Sequence, residues 1–399
     1  MLQWGPLLTH GNDIESRYVH HNYSAKQGTQ AASARPGWGK FWQEVDLMAE
    51  GRDNDGEPFA KDEDGTEWKF VFTFSQSDFD MDHEHGLPNY KMASSFCKHC
   101  KATNFKRAEI DGCPYGDLGP HARWRSRLVT SNDEFKSRVV QQHPLTESKY
   151  FNKYTARNDL MHCADHHGVW GVIFGSVVCY LVQNDGAPSL GATQGERLGQ
   201  VNCLLNTFYR NNTGVTARID KLTMKNILPA GSADYATLGG PTIKAANTRQ
   251  AMPFLQDLAR EHLQDIGNLD QQLMRRLIHH TLEFIRVLNS SGVVLTQLQL
   301  DDLKVATEGV GKFMQLLRHR AKEQKQLLWH IVPKTHYMQH FPAEARLINP
   351  KVVQCHIEES YIGKVAKIWS SSKNGPHKDT IQRVVLLKYL VWLAVEMDL

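Results

Sequence analysis

Three short strings carry residue types able to do chemistry: Cys97-Lys-His-Cys100, Asp159-Leu-Met-His162, and His356-Ile-Glu-Glu-Ser-Tyr-Ile-Gly363. Two thiolates separated by two residues can grip one tetrahedral ion from a single tight turn. Such a pair needs two more ligands. The sequence offers His162 as the third and Cys113 or Cys163 as the fourth, with His143 and His99 as further candidates. The plain alternative is two cysteines on a loop. No strand-CxxC-helix pattern points to thiol-disulfide exchange.

Asp159 stands where a carboxylate caps a helix and complements its dipole. His162 follows about one turn later on the same side, and with Cys163, His166 and His167 makes a small metal-capable group. Glu358 and Glu359 are adjacent, and neighbours on a helix point about 100° apart, so one of them at most can face a given site. His336 and His340 are four apart and can share a helix face. They lack the glutamate of an HExxH zinc protease. Walker, GxGxxG, GxSxG and protein-kinase patterns are also absent.

Elements must position these groups. Trp68-Lys-Phe-Val-Phe-Thr-Phe74 alternates aromatics with Lys69, Val71 and Thr73, a period of two that predicts a strand running into Asp78. Residues 1–40 are polar and aperiodic and read as loose. A short helix is expected over 133–142, a helix carrying the apolar run over 159–183, and another over 195–209. A polar, Gly-rich connector fills 211–248. Amphipathic helices follow over 248–264, 269–288, 298–319 and 323–330, with two more at 355–369 and 379–396.

The chain has 399 residues, 41% hydrophobic and 22% charged, which suits a globular protein of more than one unit. A net charge of +3 does not by itself indicate a nucleic-acid partner, but the charge is uneven. Residues 44–84 are acid-rich and 312–388 are basic, so Arg318, Arg320, Lys322, Lys325, Lys364 and Lys367 are the candidates for phosphate contacts. Seven scattered cysteines do not make a secreted disulfide framework. The N-terminus has no signal-peptide pattern, and the apolar run 168–182 is shorter than the roughly 20 residues of a membrane span. An intracellular, reducing location without a membrane partner is the expectation.

Taken together, the strings resemble the DDE transposases of CACTA-type elements and their Plavaka and Kyakuja–Dileera–Zisupton relatives. The likeness rests on Asp78 at a strand exit, then Gly86-Leu-Pro-Asn-Tyr and the Cys97/Cys100 pair. It continues with Asp159-Leu-Met-His162 before an apolar helix, and Glu359-Ser-Tyr-Ile-Gly363 followed by Lys364 or Lys367. It spans roughly residues 68–395. Lys98 departs from it, standing where the pattern has proline. The resemblance implies an α+β, mostly helical chain: the remnant of a ribonuclease-H-like sheet core with a large helical insertion. The units would be 1–67 as a loose segment, 68–158 as the strand and zinc-loop part, 159–349 as the insertion, and 350–399 as helices bearing the third acid. It implies Asp78 and Glu359 as catalytic acids holding Mg²⁺ for two-metal strand cleavage and transfer, with structural zinc nearby. It also implies double-stranded DNA at transposon ends as partner, a nuclear location, and room for a homo-oligomer. The first acid should precede further strands, and residues 1–67 show no such series. The chain therefore reads as truncated or repurposed, and as incomplete or inactive in cleavage. A non-catalytic zinc-stabilised module binding DNA or protein is the other expectation.

Overall fold

The computed structural model describes residues 2–4, 18–21, 31–58, 61, 63–67, 75–77, 82, 86–89, 96–104, 113–140, 142–183, 188–229 and 234–355, with single positions at 367, 371, 387, 388 and 391. Described residues are mostly helical with very little sheet. Strand β1 (Leu2–Trp4) pairs antiparallel with β2 (Tyr18–His21), and α1 covers Ala31–Glu50. Part of the segment expected to be loose is thus helical. The expected strand 68–74 lies outside the described residues. Just after it, β3 (Ser75–Ser77) pairs in parallel with β4 (Ala156–Asn158), Ser77 opposite Asn158. Among the described residues between them run a 3-10 turn (Arg123–Ser126) and two short helices, α2 (Asn132–Ser137) and α3 (Pro144–Glu147).

The expected helix over 159–183 is two elements. A π-helical turn, Met161–Asp165, is followed by a bend and then by α4, Val169–Gln183. The break falls at His167, whose φ of 46° no helix accommodates. Every residue of α4 from Val169 to Val182 is buried. A Cβ on Gly175 would lie 2.5 Å from the Thr237 backbone, so only glycine lets this central helix meet the chain that crosses it.

Local signals explain where the other helices start. Helix α5 (Gln194–Asn211) opens with a capping box, in which the Thr193 side chain accepts from Glu196 N at 3.2 Å and Glu196 accepts from Thr193 N at 2.9 Å. Helix α6 (Met224–Ile227) interrupts the expected connector. Helices α7 (Ala245–Ala251) and α8 (Phe254–His262) replace one expected helix, split at Pro253, which has no amide to donate. Helix α9 (Leu269–Ser290) and α10 (Gln297–Glu323) form a hairpin, capped by Asn268 and by the Thr296/Gln299 box. At Gly309 a Cβ would stand 2.3 Å from the His280 ring, which sets how closely the two helices approach. Leu255, Leu277 and Leu317 are buried, while Ile285 is half-buried against the same core.

The short helix expected over 323–330 is absent. The chain leaves α10 through positive φ at Lys325 (56°) and Trp329 (58°). The Trp329 side chain is buried, and its amide donates to Ser176 Oγ of α4 at 3.0 Å. Burying an indole against α4 outweighs continuing the helix. Helices α11 (Pro333–Met338) and α12 (Phe341–Glu344) follow, each with a proline in its first turn. The helices expected over 355–369 and 379–396 lie almost wholly outside the described residues. One apolar cluster runs from Phe96 and Trp124 through α4, α9 and α10 to Phe341, so packing crosses residue 158 without a break. A smaller cluster joins Trp42, Phe135, Leu145, Phe151 and Ala156. No described helix is long and apolar enough to cross a membrane.

Candidate metal centre

The Cys97–Cys100 turn is pinned by the segment beside it. Lys101 N donates to Arg127 O at 3.0 Å and Val129 N to His99 O at 2.9 Å. On the opposite side stand α11 and α12. Four residues apart, His336 and His340 put both rings toward the turn, and Tyr337 Oη donates to Phe96 O at 2.6 Å, tying α11 to the residue before Cys97. Gln339 accepts from Arg125 at 2.9 Å and donates to Thr307 O of α10 at 3.1 Å, clamping the turn between the histidines.

Cys97, Cys100, His336 and His340 therefore converge, with their ligand atoms all within 4.8 Å of one another. Cys97 Sγ lies 3.4 Å from His340 Nε2, Cys100 Sγ 3.3 Å from His336 Nε2, and the two Nε2 atoms are 3.2 Å apart. With Zn–S near 2.3 Å and Zn–N near 2.05 Å, tetrahedral edges come to about 3.5 Å for S···N and about 3.3 Å for N···N. Two S···N pairs and the N···N pair stand near those edges, and the donors' chemistry fits a borderline-soft ion. All four residues are buried, at 0%, 0%, 0% and 5% exposure. No open ligand position faces solvent, the mark of a structural metal site.

The surroundings favour thiolate. His99 N and Ala102 N each donate to a cysteine sulfur at 3.4 Å. Burial pushes the Cys97 thiol up, but the hydrogen bond with Cys100 and the charges of His340 and His336 outweigh it and hold it well below the usual thiol value. Burial, then the neighbouring Cys97, pushes Cys100 well up. Metal ligands bind as thiolates, so a divalent cation there would release the thiol protons. Burial lowers His336 below its ordinary value, against the opposing pull of Cys97. Trp124 packs edge-to-face on both imidazoles, at 4.7 and 5.3 Å between centroids. Among the described residues His336 Nδ1 is buried without a hydrogen-bond partner, so none of them supplies the usual carboxylate or carbonyl behind a metal-bound imidazole.

The two residues inside the CxxC turn are structural. Lys98 and Asp82 are both 2% exposed, and the ammonium lies 2.9 Å from Asp82 Oδ2 and donates to Arg157 O at 2.8 Å. His99 Nε2 lies 3.2 Å from Glu344 Oε1, at ion-pair distance but off the line of a hydrogen bond. Glu344 also accepts from Asn158 Nδ2 at 2.7 Å, and its backbone carbonyl accepts from Arg157 at 2.8 Å. Burial raises the Glu344 carboxyl, yet His99, Arg157 and Lys98 bring it below its ordinary value. The metal turn and β4 are thus held by one buried ionic network.

The sequence expectation for the remaining ligands is corrected. His162 points its Nδ1 to Asp159 Oδ2 and is not among the four. Cys113 and Cys163 are buried nearby but do not join the group, and burial, then the Asp159 charge, pushes the Cys163 thiol well up. His336 and His340 stand beside the cysteines instead. The signal was present: CxxC with a later HxxxH is a complete four-ligand set.

A second group, Asp159, His162 and Cys355, also lies within 4.8 Å. Here the carboxylate is already occupied. Asp159 Oδ1 accepts from Met161 N at 3.2 Å and Cys355 N at 2.9 Å, and Oδ2 accepts from His162 N at 3.1 Å besides the imidazole. Burial raises the Asp159 carboxyl, but His162 and the amides outweigh it and the net shift is downward. Asp159 is a cap that fastens residue 355 to the exit of β4.

The expected catalytic acids Asp78 and Glu359 lie outside the described residues, as does Lys364. Of the expected DNA contacts, Lys322, Lys325 and Lys367 are exposed and Arg318 is half-buried. Arg320 pairs with Asp270 of α9, which accounts for its charge within the fold. No protein-family model matches the chain, and no curated protein or solved structure matches it either.

Proposed function

We propose that the chain is a transposase-derived protein whose DNA-nuclease-like core is held together by structural zinc, with strand cleavage weak or lost. The buried Cys97/Cys100/His336/His340 set carries this reading. Its cysteines and histidines lie 236 to 243 positions apart in sequence. A zinc ion there closes the whole helical block into one loop, between the segment that follows Asp78 and the segment that leads to Glu359. The order of motifs supports the family likeness, and the parallel β3–β4 pair leaves Asp159 at the strand exit. Mg²⁺ between Asp78 and Glu359 is implied by the resemblance alone; bound there, it would activate water and stabilise the leaving oxygen. Duplex DNA is the proposed partner and the nucleus the proposed location.

A second reading is a zinc-stabilised module that binds protein and does no chemistry. The scarcity of sheet among the described residues favours it. Zinc-loaded protein mixed with duplex DNA decides between them. The transposase reading expects binding that weakens steeply with salt and, with Mg²⁺, slow nicking at most. Absence of duplex binding at low salt overturns it and leaves the second reading. Robust Mg²⁺-dependent cleavage, lost in Asp78→Ala or Glu359→Ala, would overturn the weak-cleavage part.

A further inference from the structure

Midway along the α9–α10 hairpin, basic side chains gather round one aromatic ring. Arg276 and His280 stand one turn apart on α9, and Lys312 and Phe313 meet them from α10. The His280 ring stacks on Phe313 with centroids 5.4 Å apart and planes 19° apart. The Arg276 guanidinium carbon lies 6.0 Å and the Lys312 ammonium 5.7 Å from the Phe313 centroid, at cation–π distance. His279 packs edge-to-face on His280 at 5.3 Å. Arg276, His279 and Lys312 are exposed and His280 is half-buried, so the group opens to solvent.

The hairpin makes room for this group. A Cβ at Gly309 would stand 2.3 Å from the His280 ring, so α10 accepts a residue that weakens a helix interior where the imidazole lies across it. Carboxylates on the two helices are engaged elsewhere. Asp270 holds Arg320, and Glu283 holds Arg286 at 2.8 Å. Asp302 lies 3.8 Å from Arg286, and Glu308, one turn before Lys312, lies 3.9 Å from Arg125. Burial, then His279, Arg276 and Lys312, holds the His280 imidazole below its ordinary value, with Glu283 alone opposing. Among the described residues, Arg276, His279, His280 and Lys312 spend no donor on a hydrogen bond or ion pair. Two fixed cations and two imidazoles are thus held together at the surface with their donors unspent.

We propose that Arg276, His279, His280 and Lys312 form a docking face for the phosphodiester backbone of duplex DNA. A guanidinium fork and an ammonium, steadied on one ring, each suit a phosphate oxygen, and ring N–H groups add further donors. A strand repeats its phosphates along its length, so cations on two neighbouring helices can meet more than one. Phe313 is only 7% exposed and offers no platform for an unstacked base, which favours a duplex over a single strand. Such a face positions the duplex and does not read its sequence. The inference rests on the duplex reading above for its partner and adds the surface. That surface differs from the Lys322 and Lys325 region expected from the sequence.

The test uses the full-length, zinc-loaded protein and a fluorescently labelled DNA duplex, titrated by anisotropy over a range of salt. Arg276→Gln/Lys312→Gln should weaken binding by about tenfold or more, as two lost charge-assisted bonds require. The slope of log affinity against log salt should become shallower by about 2. Lys312→Arg keeps the charge and should bind as the wild type does. Lys322→Gln/Lys325→Gln removes equal charge outside the face and should lose clearly less. Unchanged melting and zinc content show that each variant folds. Wild-type affinity in folded Arg276→Gln/Lys312→Gln, or an equal loss in Lys322→Gln/Lys325→Gln, overturns the face and leaves the duplex reading standing. No duplex binding by the wild type at low salt overturns both.

Discussion

Two groups built from the same kinds of residue sit near each other in this protein and do different things. Cys97, Cys100, His336 and His340 bring four donor atoms within 4.8 Å of one another, all buried, with the two thiols pushed in opposite directions. Asp159, His162 and Cys355 are as close together, yet the carboxylate already accepts three backbone amides and an imidazole. The first set could hold an ion. The second is complete as a cap. Proximity of Cys, His and Asp therefore says little until each donor's other partners are counted.

The sharpest way to break this contrast is to strip the zinc proposed for the first set. Structural zinc contributes on the order of 10 kcal/mol in small domains, and an ordinary domain has about 5–15 kcal/mol in total. Exhaustive chelation should abolish cooperative unfolding, or move it down by tens of degrees, as seen by calorimetry. An unchanged melt would put the stability elsewhere.

Next in size is the ionic network behind the turn. Lys98→Met leaves Asp82 charged and buried, at a cost of about 3–5 kcal/mol. Lys98→Met with Asp82→Leu should recover most of that in urea titrations. A double variant no better than the single would show that Lys98 acts otherwise.

The first contrast was partly legible in the chain. Cys97-x-x-Cys100 announced two ligands. The other two were visible as His336-x-x-x-His340, but 236 positions lie between Cys100 and His336, and no local pattern links such distant segments. His162 was the nearer candidate, and only the fold shows that Asp159 had claimed it. Long amphipathic stretches such as α9 and α10 were readable because periodicity and caps agree there. The π-helical break at His167 and the turn after α10 were not, because burial of Trp329 and packing on α4 decide them over local propensity.

Asp159→Ala should cost on the order of 2 kcal/mol, the scale of a lost cap with orphaned amides. It should leave zinc content unchanged. Loss of zinc in that variant would join the two groups that the structure separates.

The smallest expected effect is a pH dependence. His166 is held at about 4, below the ordinary 6.5. Between those values the unfolded chain takes a proton that the native state refuses, so this contribution to stability is full above pH 6.5 and fades as pH falls toward 4. Comparing wild type with His166→Asn by denaturant midpoints across that range should show the wild type falling more steeply. Parallel curves would remove His166 from the account.

The central claim is that Cys97, Cys100, His336 and His340 hold one structural zinc. Native mass spectrometry of the purified wild type, His336→Ala/His340→Ala and His162→Ala measures it directly. The account predicts one zinc per chain in the wild type and in His162→Ala, and none in the double variant. Zinc retained without His336 and His340, or lost with His162, would contradict it.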